Sequence, residues 1–143
     1  MEYCTREHIT DLLLADYVAV AEAKNPGIVE RTIAAVSREV TGMLVWRYVT
    51  PLPEVPDLLR YITSVIAAYR IVQAITSLVD TEGSTDNEWI PLQRQWKHVT
   101  IMLNDLVDGR LKLPPPAVEL NPDREEASLA VVTRPPLFDR RGF

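Results

Sequence analysis

The sequence predicts an all-α fold: a small bundle of three long helices preceded by one or two short ones, and followed by an extended C-terminal tail. Three observations predict it. Through three long stretches the apolar residues recur at alternating spacings of three and four, which puts them on one face at 3.6 residues per turn. Proline, glycine and short polar residues break the pattern where helices would have to be joined. Six of the eleven prolines then fall after Gly109, where no helix can continue.

Taken in order, Thr5 is a good N-cap for a short first helix carrying Ile9, Leu12 and Leu13, with a second short piece expected over Asp16 to Ala23. Pro26 and Gly27 open the first long helix, expected over residues 26–48. Its stripe is Val29, Ile33, Val36, Val40 and Met43, opposite Glu30, Arg31, Arg38 and Glu39. Pro51, Pro53 and Pro56 separate it from the second, in which Pro56 takes a favoured first-turn place. Leu58, Ile62, Val65, Tyr69 and Val72 line that helix, and Leu59 and Ile66 widen the apolar face, so it should be the most buried. The third follows the polar stretch from Asp80 to Asn87. It shows Trp89, Leu92, Trp96, Val99, Leu103 and Leu106, and stops at Gly109, which accepts the left-handed conformation of a C-terminal cap.

The division expected is therefore a helical body over residues 1–110 and a docking tail over residues 111–143. Pro114, Pro115, Pro116, Pro122, Pro135 and Pro136 favour extended or polyproline conformation there. The tail holds a β-prone run, Leu129 to Thr133, and then Leu137, Phe138 and Phe143, large apolar groups with no local core to bury them. Disordered tails are normally poor in such groups, so a partner surface is expected to take them.

Composition narrows the function. At 143 residues the chain can bury one real core. One cysteine cannot close an intrachain disulfide, and the N-terminus lacks a charged region followed by an apolar one, so a reducing, cytosolic origin is expected. No uninterrupted apolar run nears the ~20 residues of a bilayer span, and no membrane partner is expected. The net charge of −5 resides entirely in the body, because residues 1–110 carry ten Lys/Arg against fifteen Asp/Glu and residues 111–143 five against five. An acidic body repels phosphate, so no specific nucleic acid is expected to bind.

Enzyme chemistry finds no support in the sequence, and neither a cofactor nor a metal is expected. There is no Gly-rich phosphate loop, no nucleophile elbow and no paired cysteine or histidine motif for a metal. Asp80, Glu82, Asp86 and Glu88 fail as a calcium loop, since counting from Asp80 the glycine comes fourth instead of sixth and Pro91 stands where a bidentate Glu belongs. His98 lies off the apolar stripe, and Cys4 has only His8 as a neighbouring base, so both histidines read as solvated and the thiol as a small filler or surface group. Two clusters remain. Trp46, Arg47 and Tyr48, followed by Pro51 and Pro53, gather anchor-type side chains at a helix end and mark a candidate subunit interface. In the tail, Arg134, Leu137, Phe138, Arg140, Arg141 and Phe143 mark the candidate partner-binding residues.

The order of short motifs along the chain resembles the head-tail connector, or neck adaptor, family of Mu-like tailed phages and prophages. The matching elements are Tyr3-Cys4-Thr5-Arg6-Glu7, Arg47-Tyr48 followed by Pro51-Leu52-Pro53, and the Pro56-x-Leu58-Leu59 start. Ala68-Tyr69-Arg70, Asp108-Gly109-Arg110-x-x-Leu113 and the closing Phe138-x-Arg140-x-Gly142-Phe143 complete the set. The resemblance implies a virion protein made in the host cytoplasm and placed in the neck between capsid and tail. It further implies a homo-oligomeric, twelve-fold ring whose partners are the portal protein and a downstream neck or tail-completion protein. A cut after Leu113 is then expected to leave a helical body that no longer binds the portal. The competing expectation is a non-viral scaffold or signalling module whose Pro-rich tail is read by a partner domain, although Arg134-Pro-Pro-Leu137 lacks the second spaced proline of such ligands.

Overall fold

A computed structural model of the protein describes residues 1–75 and 89–120. Five helices account for most of them: α1 (Arg6–Leu12), α2 (Ala15–Lys24), α3 (Ile28–Leu44), α4 (Asp57–Ile75) and α5 (Ile90–Asp108). The all-α class and the three long and two short helices are as expected. The loop from Asp80 to Glu88, the β-prone run Leu129 to Thr133 and all six tail residues singled out for docking lie outside the described residues.

α4 is the centre of the molecule. It packs against α1, α2, α3 and α5, and eleven of its residues are buried, from Leu59 to Val72. A helix surrounded on all sides has to be apolar all round, and its polar residues must find partners internally. Thr63 and Ser64 do so by donating their hydroxyls to the carbonyls of Leu59 and Arg60 one turn back, at 2.9 and 2.6 Å. α4 has the length and apolarity of a bilayer span, contrary to what its interrupted sequence suggests, but 61% of its most apolar window is buried against the other helices. Tyr69 of α4 stacks on Trp96 of α5, ring centroids 4.4 Å apart and planes 12° from parallel, which joins the two longest helices by an aromatic pair.

α3 is shorter at both ends than its apolar pattern suggests. At its start Gly27 has φ of +79°, a left-handed backbone that ends any helix continuing from Pro26. The carboxylate of Glu22 accepts the Gly27 N–H at 2.8 Å and so fixes the corner between α2 and α3. At its end the chain tightens after Leu44, whose carbonyl accepts both the Arg47 and the Tyr48 N–H.

Residues before α1 are part of the core. Tyr3 is buried against α3, its N–H donating to Ser37 Oγ at 3.2 Å and its hydroxyl 2.5 Å from Thr41 Oγ1. Cys4 is buried beside Thr63 and Ser64 of α4. Arg6 binds Glu22 and Glu30 at 2.8 and 2.7 Å, and so ties α1 to both α2 and α3.

Residues 111–120 lie against the body. Leu113 is buried, Leu111 and Ala117 pack on the core, and Tyr48 and Glu119 form an isolated antiparallel bridge.

Candidate functional site

The two short segments that meet at this bridge are residues 47–49 after α3 and 118–120 after α5. Val49 N–H donates to the Val118 carbonyl at 2.8 Å and Leu120 N–H to the Arg47 carbonyl at 2.9 Å. In that pattern side chains alternate between inside and outside. Tyr48 turns inward and is 1% exposed, while Val49, Val118 and Leu120 turn outward at 44%, 55% and 54%. Trp46, two residues before the bridge at Tyr48, is 73% exposed. Val49, Val118 and Leu120 thus form an exposed apolar patch where the described chain reaches residue 120, the kind of surface that marks an interaction site.

What holds this face in place is a set of contacts from Arg47 and Tyr48. Arg47 Nε donates to the Val107 carbonyl near the end of α5 at 3.1 Å, and its Nη1 stands 3.7 Å from Glu119 Oε2. The guanidinium lies over Gly109, the left-handed cap of α5, with φ of +88°. Lys112 Nζ reaches the other oxygen of Glu119 at 3.6 Å. The Tyr48 hydroxyl accepts the N–H of buried Leu113 at 3.0 Å. One side chain from each of two consecutive positions therefore fastens the end of α3 to the end of α5 and to the outgoing strand.

Of the three residues singled out as a subunit interface, Trp46 points to solvent, whereas Arg47 and Tyr48 are engaged within the chain. Val49, Val118 and Leu120 were not singled out, and the only signal for them is a two-residue alternation on either side of Tyr48 and Glu119, too short to stand out from a loop. The tail residues Arg134, Leu137, Phe138, Arg140, Arg141 and Phe143 lie beyond the described end of the chain at residue 120.

The groups with possible chemistry are apart from this face. Burial raises the Cys4 thiol above its ordinary range, against the smaller opposing effect of the Thr63 and Ser64 hydroxyls. His8 does not serve it, because its Nδ1 accepts the Thr5 N–H at 2.9 Å and closes the start of α1 in the manner of a capping box. His98 is exposed on α5. No cluster of three or more metal-ligating side chains occurs among the described residues.

Residues 3–131 match the model of a protein family described as Bacteriophage Mu, Gp36. A comparison with curated proteins returned no match.

Proposed function

The chain belongs to the Bacteriophage Mu Gp36 family, a group of Mu-like phage proteins, and from that premise we propose that it is a non-enzymatic head-tail connector subunit of the virion. In this reading identical subunits form a ring, twelve-fold by resemblance, between the portal and a downstream neck or tail-completion protein. Rigid helical bodies pack side by side, and the C-terminal segments dock on the portal through Leu137, Phe138 and Phe143, with Arg134, Arg140 and Arg141 meeting acidic groups. Many weak contacts made at once hold far better than one, so a ring of short docking segments gains avidity that no single segment has.

The observation that supports it is the exposed apolar patch formed by Val49, Val118 and Leu120. Leu120 is half exposed and its N–H is bonded to the Arg47 carbonyl, and a further 23 residues follow it, with Pro122, Pro135 and Pro136 among them and Leu137, Phe138 and Phe143 toward their end. The test is cosedimentation of the full chain with the portal protein of the same phage. A Leu137→Asp/Phe138→Asp double variant should lose binding by roughly tenfold or more, while its helical circular dichroism stays unchanged. Binding equal to that of the unaltered chain would refute the docking role. Any truncation for this purpose belongs after Leu120 instead of Leu113, since residues 113–120 carry contacts of the body itself.

A further inference from the structure

Gly42 has no explanation within its own chain. It lies in the last turn of α3, and its φ is not in the left-handed region, unlike those of Gly27 and Gly109. A β-carbon added there would meet no atom within 4 Å. Glycine inside a helix weakens it relative to alanine, so neither backbone nor packing in the single subunit calls for it. What a missing side chain does provide is room for another surface to come close. The same row of the helix, at steps of four residues, holds Arg38 before it and Trp46 after it. Both are exposed, Trp46 at 73%, with Val45 beside it at 42%. The helical path runs on far enough to keep Trp46 on that row, since Val45 has right-handed α backbone and the Tyr48 N–H reaches the Leu44 carbonyl at 2.8 Å. Of the charges close by, Arg31 is held by Asn25 and Pro26, and Glu39 by Arg70, whereas Arg38 has no ion pair among the described residues.

We propose that this row is a self-association surface, on which a second copy of the chain packs its own α3 antiparallel, with the two Gly42 residues facing each other. The row is self-complementary. Arg38 and Trp46 stand on either side of Gly42, each ~6 Å away along the helix, so a two-fold axis at Gly42 sets Arg38 of either copy level with Trp46 of the other. A guanidinium over an indole ring is a favourable pairing, and one symmetry operation makes it twice. The match in charge extends to the backbone. An antiparallel partner brings each Arg38 to the C-terminal end of the other α3, where the last carbonyls carry partial negative charge. Helices packed through rows of this spacing lie ~8–10 Å apart, and the absent side chain at residue 42 permits the short end of that range. Trp and Arg are also the side chains that most often anchor such contacts. An isologous contact closes at two copies, so it belongs to the free subunit, is distinct from the head-to-tail contacts of a ring and does not depend on the portal.

Sedimentation velocity of the full chain between ~10 μM and ~1 mM tests it. The expected result is a monomer that becomes a dimer as concentration rises. Gly42→Leu puts bulk where the single subunit has open space, so helical circular dichroism should be kept while the dimer weakens roughly tenfold or more. Arg38→Glu sets a carboxylate against the indole and the carbonyl end, and should weaken it likewise. Gly42→Cys, under oxidation, should link two copies through residue 42, with buried Cys4 out of reach. The Leu137→Asp/Phe138→Asp variant should dimerise as the unaltered chain does, so a failure of the connector reading and a failure here are read apart. A chain that stays monomeric throughout the range, assembly that runs past the dimer, or a dimer indifferent to both Gly42→Leu and Arg38→Glu would overturn the proposal.

Discussion

The guanidinium of Arg47 lies 2.6 Å from the point where a β-carbon on residue 109 would stand. Gly109 is thus required twice over, by its φ of +88° and by the side chain that occupies its missing one. Gly109→Ala should destabilise the body by about 2 kcal/mol, strained backbone and displaced guanidinium together. Urea unfolding of Gly109→Ala, Arg47→Ala and the double variant forms a cycle. The two single losses should not add, because removing Arg47 clears the space that an alanine at 109 needs.

Tyr48→Phe keeps the ring and removes the hydroxyl that accepts the N–H of buried Leu113. An orphaned buried donor costs about 1–3 kcal/mol. The expected loss is of that size in chemical denaturation, with the 111–120 segment exchanging its amides faster than the helices do.

Cys4 should make stability fall at alkaline pH. Its thiol is raised by burial above the ordinary 9.0, so above that value the unfolded chain releases a proton that the folded one retains. The slope of stability against pH is then negative from about pH 9 upward and flat below. Thermal scans of Cys4→Ala should lack this fall, and thiol reagents should label the folded wild type slowly at pH 8 and quickly once it is unfolded.

Glu22 has the opposite sign. The Gly27 N–H, first, and Arg6 hold its carboxyl below the usual range, so its contribution is present above the unfolded carboxylate value and fades as pH falls through it. Glu22→Gln should lower stability at neutral pH and flatten the acid limb of the pH profile, as thermal melts from pH 3 to 7 would register.

Much of the architecture was legible because periodicity reports which face of a helix is buried. Val29, Ile33, Val36 and Val40 stand inward on α3, and Leu92, Val99, Leu103 and Leu106 on α5, as their spacing requires. The all-round apolar character of α4 likewise announced its central place. The end of α3 was not legible: Val45 to Tyr48 suit a helix in isolation, and what stops them is a distant strand that exists only once α5 has returned the chain to their side. The same holds for Leu113, whose neighbouring prolines mark an extended segment without saying that it lies on the body. Trp46, Arg47 and Tyr48 stood out by residue type, but in a turn no period tells which of three neighbours faces out, and only Trp46 does. The β-prone run and the docking residues fall outside the described part of the chain.

Arg47 has a mechanical consequence. Its contacts with Val107 and Glu119, together with its own carbonyl's bond from Leu120, gather two helix termini and the outgoing strand at one residue. Tension applied to Leu120 is therefore shared between the ends of α3 and α5 at one residue.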